Sequence, residues 1–297
     1  MTLEIFGFRA LWSPFFILFL ILATLIYILA TTLYRQKISS DSEPLSIKQW
    51  SCFIVTVVLL YIVKGSPVDL LGHIMFSVHM TQMALLYLLL PPLFILSIPK
   101  WLWRTFLQVG IVKPLFHFLT KPLIALFLFI GMFSLYHIPV IFDAIKTDML
   151  LHSVYTIVLF ITAVCTWWPL VNELEEYQGF LGLKRIGYIF AKGILLTPAC
   201  ALIIFADQPM YHTYSDSVFW LKAMELCVPS DMLASLNLAG PEMFNSMPLL
   251  EDQRMGGVIM KIIQELVYGF FMAKIFYAWY RTESKNSVDM NPKVGGL

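Results

Sequence analysis

Apolar stretches long enough to cross about 30 Å of bilayer hydrocarbon recur near residues 13–33, 48–64, 73–97, 122–142, 150–170, 186–206 and 257–280. The pattern predicts an all-α, polytopic membrane helix bundle with about seven transmembrane helices, forming a single integral membrane domain over 1–297. Most connections between the stretches are short. The exception is 207–256, expected as a long cap loop, and 281–297 reads as a polar tail. No internal repeat stands out. The first apolar run follows "MTLEIFGFRALWSPFF", which lacks a basic lead, and is too long for a cleaved signal segment, so it reads as an uncleaved span.

Lysine and arginine decide the expected orientation. Twelve lie in the 34–47 connection with Lys48, the 98–121 and 171–185 connections and the tail, against five on the other side and three inside spans. The expectation is therefore an N-terminus outside and a C-terminus inside. The connection "KWLWRTFLQVGIVKPLFHFLTK" alternates aromatic with basic residues, as an interfacial helix does. Composition agrees with a membrane protein: 59% of residues are hydrophobic, 13% are charged and the mean hydropathy is +0.77. A net charge of +1 points to no nucleic-acid partner. The four cysteines, Cys52, Cys165, Cys200 and Cys227, form no CxxC pair, which disfavours a disulfide framework or a cysteine zinc site.

Histidine is the informative residue. In "GHIMFSVHMTQMALL" (72–86) two histidines and three methionines interrupt an apolar helix. On the expected topology His73, His79, His137, His152 and His212 all fall on the outer side, and only His117 lies inside. His79 and Met83 are four apart and share a helical face, with Met75 one turn earlier. His73 and Met80, seven apart, form a neighbouring stripe with Ser77. His137 and His152 flank what reads as a short turn, so their depths should match. Imidazole with thioether suits Cu(I). The same residues also fit a polar seam between packed helices, with methionine as filler.

Charges inside the spans form a second set. Glu265 sits about two turns into the last span, with Lys261 one turn before it, and the pair is expected either to join helices or to relay protons. Lys192 and Lys274 are placed to snorkel to the inner face. Asp207, Met210 and His212 are placed to close over the histidines, and Asp252 and Gln253 to dock the cap onto the last span. No glycine-rich phosphate loop, HExxH or nucleophile elbow occurs, so nothing indicates an enzyme.

The segments "HMTQMALLYLLLPPLFILSIP" (79–99), "YHIPVIFDA" (136–144), "LH" (151–152), "WWPL" (167–170) and "LEDQRMGG" (250–257) resemble the CtaG family of bacterial caa(3)-type cytochrome c oxidase assembly factors. Their order and spacing match from about residue 65 to 280. The resemblance implies a multi-pass protein that helps form or stabilise the active oxidase, with copper insertion as an associated role. It carries over His79, His137 and His152. It also marks Met83 and Thr156 as positions where relatives often have further histidines.

Three readings follow. One is an oxidase assembly factor that handles copper, its partners being cytochrome c oxidase subunits or a copper donor protein, with membrane lipid around it. Another is a membrane haem or quinone protein, pairing His79 or His73 with His137 or His152. The third is a copper permease, for which soft residues thin out towards the inner half, where only Cys52 and Cys165 remain.

Overall fold

A computed structural model describes residues 2–177, 182–236 and 238–289, the side chains of 285–289 excepted. The described residues are helical throughout, with no strand among them. Five helices are long and apolar enough to cross a membrane: Leu3–Thr31, Ile47–Gly65, Phe76–Ser97, Met149–Val171 and Leu183–Ile204. Val112–Leu119 and Pro122–Tyr136 meet at 77° and make a sixth if counted as one broken span. The expected seventh stretch, 257–280, lies inside the single helix Leu249–Asp289. The expected tail lies outside the described residues from 290 onward.

Local chemistry sets the helix starts. Proline occupies the first helical position at Pro14, Pro67, Pro122 and Pro139, where its missing N–H costs no intrahelical bond. Ser46 and Gln49 form a reciprocal capping box before Ile47–Gly65, and Asp148 accepts the Leu151 N–H at 2.7 Å before Met149–Val171. Pro91 and Pro92 stand inside Phe76–Ser97 and cannot donate to the carbonyls one turn back. The preceding residues Leu85–Leu89 widen into a π-turn, so the helix continues past both prolines.

Phe76–Ser97 is the central helix. Of its most apolar window, 67% is buried, against 11% for each of the first two spans, so its polar residues face protein and not lipid. Leu249–Asp289 packs along it through glycine: a Cβ at Gly256 would come within 3.0 Å of Met80 Cγ and 2.9 Å of Phe76 Cδ1. The main core gathers Phe129, Phe133, Tyr136, Phe142, Trp167 and Trp168.

The cap is folded. Short helices at His212–Ser215, Ser217–Met224 and Ser230–Ser235 bring Trp220, Met224, Val228 and Leu233 into a second core with Phe6, Ala10, Leu70 and Ile74. The cap thus packs on the N-terminal segment and on Pro67–Ile74. The motif "LEDQRMGG" is not part of the loop: it forms the first turns of Leu249–Asp289.

Candidate functional site

The site is built around a break in the chain. Residues 73–97, expected as one span, divide at Met75, whose φ of −120° and ψ of 126° are extended. The break leaves the first N–H groups of Phe76–Ser97 without intrahelical partners. Asp252 supplies the acceptor: its carboxylate takes the Phe76 N–H at 2.7 Å, and it also accepts the hydroxyl of Ser77. Asp252 is 2% exposed and has no ion-pair partner among the described residues, so its carboxylate is held by these donors at the positive end of the helix. His79 lies on the first turn of the helix that Asp252 caps.

His79, Met83, His73 and His152 line one cavity of about 550 Å³, with Lys64, Asp69, Gln82, Tyr136 and Lys146 around them. The remaining wall is mainly apolar and includes Phe16, Leu60, Leu86 and Phe160, with Thr156 and Tyr87. Nε2 of His79 and Nδ1 of His152 are buried without a hydrogen-bond partner among the described residues. The His79 ring lies edge-on to Phe142 at 5.3 Å between centroids and near-parallel to Tyr136 at 5.9 Å. His73 and His152 have ring centroids 6.1 Å apart.

Positive charge shapes one side of the cavity. Lys64 pairs with Asp69 at 2.6 Å. Lys146, 2% exposed, points its Nζ at His73 Nδ1 across 3.4 Å and has no carboxylate partner among the described residues. Burial, with the charge of Lys64 adding to it, pushes the Lys146 amine down to about 7. Burial first, and Lys146 second, hold His73 well below the ordinary imidazole range. Gln82 ties the floor together, its Nε2 donating to Val63 O at 2.8 Å and reaching Asp69 Oδ1 at 3.3 Å. The amide oxygen of Gln82 sits where a Cβ on Gly72 would be, 1.9 Å away, so the Pro67–Ile74 helix can approach only with glycine there.

Several expected site residues fall elsewhere. His137 does not line the cavity: its Nδ1 meets Phe133 O at 2.7 Å, and Nε2 is buried without a partner. His137 and His152 are separated by the helix Pro139–Lys146, not by a short turn. Met80 faces Gly256 on the last helix, away from the cavity. It shares no helical stripe with His73, because the break at Met75 interrupts the periodicity between them. His212 is exposed and leaves the cavity to others; its N–H and that of Thr213 donate to Asp143, at 3.1 and 3.0 Å. Asp143 of "YHIPVIFDA" therefore clamps the cap, and Gln253 joins it from the other side by accepting the Met210 N–H at 2.7 Å.

Lys261 and Glu265 form an ion pair at 2.6 Å, and Lys261 also donates to Thr197 on Leu183–Ile204 at 2.8 Å. Lys192 does not reach an aqueous face. It is fully buried, with Nζ 4.0 Å from the Trp167 ring centroid and 5.3 Å from those of Phe129 and Tyr268.

Lys64 and Lys146 are two of the five basic residues that the sequence places on the outer side, and no motif marks them as cavity residues. Both stand on the expected outer side, and that shared placement was the available signal. Thr156, the position where the resemblance puts a further histidine, lines the cavity beside Met83. Among the described residues no three His, Cys, Asp or Glu side chains are grouped so as to hold a metal ion. Any metal here would draw on methionine or take few ligands.

These features define a helical membrane protein with a histidine-lined cavity and a folded cap. The chain belongs to the cytochrome c oxidase caa3 assembly factor (Caa3_CtaG) family, whose model matches residues 25–282. No curated protein and no solved structure matches it.

Proposed function

We propose that the protein acts in the bacterial plasma membrane as a multi-pass assembly factor that holds Cu(I) at the outer face for the caa3-type oxidase. It binds and hands over the ion without catalysing a reaction, in contact with oxidase subunits or a copper donor protein. Family membership supports the assembly role. The charge asymmetry of the connections supports placing the histidine end outside.

One observation carries the copper reading. His79 Nε2 and His152 Nδ1 are buried nitrogens without partners, and Met83 joins them along one cavity. Buried polar atoms are ordinarily paired, and neutral imidazole with thioether is a soft donor set suited to Cu(I). The neighbouring Lys146 disfavours a harder, more highly charged ion. His73 stands at the edge of the set because its Nδ1 already faces Lys146.

The test is complementation of a deletion strain. Wild type restores active caa3-type oxidase, and His79→Ala leaves the oxidase poor in copper although the factor is present in the membrane. Full restoration by a His79/Met83/His152 triple alanine variant contradicts the copper reading and leaves the assembly role intact.

A further inference from the structure

A second and larger cavity, about 720 Å³, opens at the other end of the bundle. It lies where Ile47–Gly65 begins, where Phe76–Ser97 and Met149–Val171 end, and beside residues 271–282 of the last helix. Lys64, His79 and His152 occupy the opposite ends of three of these helices. The cavity therefore sits at a membrane–water boundary, far from the histidines.

Its lining has two parts. Among the described residues four cations, Lys48, Lys100, Arg185 and Lys274, line it with one carboxylate, Glu173. Lys48 is engaged with Glu173, whereas neither Lys100 nor Lys274 is ion-paired among the described residues. Apart from Asn172 and Thr282, the rest is mainly apolar wall, including Leu96, Leu170, Phe271, Ile275 and Trp279. Positive charge at the boundary with an apolar groove running from it matches an amphiphile with an anionic head. A tryptophan at this level is also typical of the headgroup region.

We infer that this cavity binds the phosphodiester head of an anionic phospholipid, with an acyl chain along Phe271 and Ile275. Lys100 and Lys274 neutralise the phosphate. The lipid bridges the last helix to the Ile47–Gly65 and Met149–Val171 helices; among the described residues the one ion pair here is Lys48 with Glu173, just past the end of Met149–Val171. Free phosphate shares the head chemistry but cannot use the apolar wall. The inference is independent of the copper reading, since it concerns the opposite end of the molecule.

The test uses full-length protein reconstituted in phosphatidylcholine bilayers, with and without a minor fraction of phosphatidylglycerol, and with inorganic phosphate as a separate arm. Bound lipid is counted by native mass spectrometry, and thermal unfolding is followed alongside. Phosphatidylglycerol should be retained selectively and raise the melting temperature, and inorganic phosphate should not. Lys100→Gln and Lys274→Gln should each weaken retention about five-fold, while a Lys37→Gln/Lys121→Gln control outside the cavity retains it. Equal retention by wild type and a Lys100→Gln/Lys274→Gln variant overturns the inference. So does equal loss in the control, or a phosphate effect matching the lipid effect.

Discussion

The carboxylate of Asp252 accepts the backbone N–H of Phe76 at 2.7 Å, across 176 residues of chain. A helix in the middle of the sequence is thus capped by the first turn of the last one. The bond couples the final helix to the position of His79. Removing a charged acceptor from buried donors costs about 1.5–3 kcal/mol, and a lost cap falls in a similar range. Asp252→Ala should therefore lower thermal stability in detergent by about 2 kcal/mol. Asp252→Asn, which keeps an acceptor, should lose less. Unchanged unfolding of the alanine variant would contradict the capping role.

Gly72 and Gln82 provide a steric test. An added methyl at Gly72 meets the Gln82 amide at 1.9 Å, so Gly72→Ala must displace a side chain that donates to Val63 O. Overpacking of this kind costs about 1–3 kcal/mol. The double variant Gly72→Ala/Gln82→Ala should recover part of that loss in a melting experiment. Additive losses would show that the two residues do not meet.

Lys146 gives stability a pH dependence with a definite sign. Its amine falls from 10.5 to about 7 on burial, so between those values the unfolded chain holds a proton that the folded chain has released. Stability then rises as pH increases from about 7 towards 10. Lys146→Met should flatten that rise and stabilise the protein near neutral pH. Melting curves across this range, wild type beside variant, check the slope.

Lys192 is enclosed by Trp167, Phe129 and Tyr268, and its Nζ has no hydrogen-bond partner among the described residues. Replacing such a buried charge by an apolar residue of similar length is often neutral or stabilising. Lys192→Met should melt at or above the wild-type temperature, whereas Trp167→Ala should lose about 3–5 kcal/mol by opening a cavity. A collapse of the fold in Lys192→Met would show that the cation itself holds the aromatic cage together.

Hydrophobic runs marked the apolar helices well, because length and composition are local properties. They also gathered His73, His79, Met83 and His152 on one side, and these residues share the cavity. The break at Met75 was not legible, since its stability depends on Asp252, far away in sequence. That break is why Met80 turned out to face Gly256 and why the stripe with His73 dissolved. His137 stands apart from the cavity lining for a related reason. Pro139 starts a new helix of eight residues, Pro139–Lys146, where the apolar run appeared continuous. Lys146 and Lys64 are visible in sequence as charges, but the burial of Lys146 against His73 is a property of packing alone.

Metal analysis of anaerobically purified protein tests the central claim most directly. Copper should copurify stoichiometrically with wild type, be lost in His79→Ala, and be sharply reduced in His152→Ala and Met83→Ala. His137→Ala and Met80→Ala, which alter residues outside the cavity, should keep it. Wild-type copper content in the His79/Met83/His152 triple alanine variant would contradict the account.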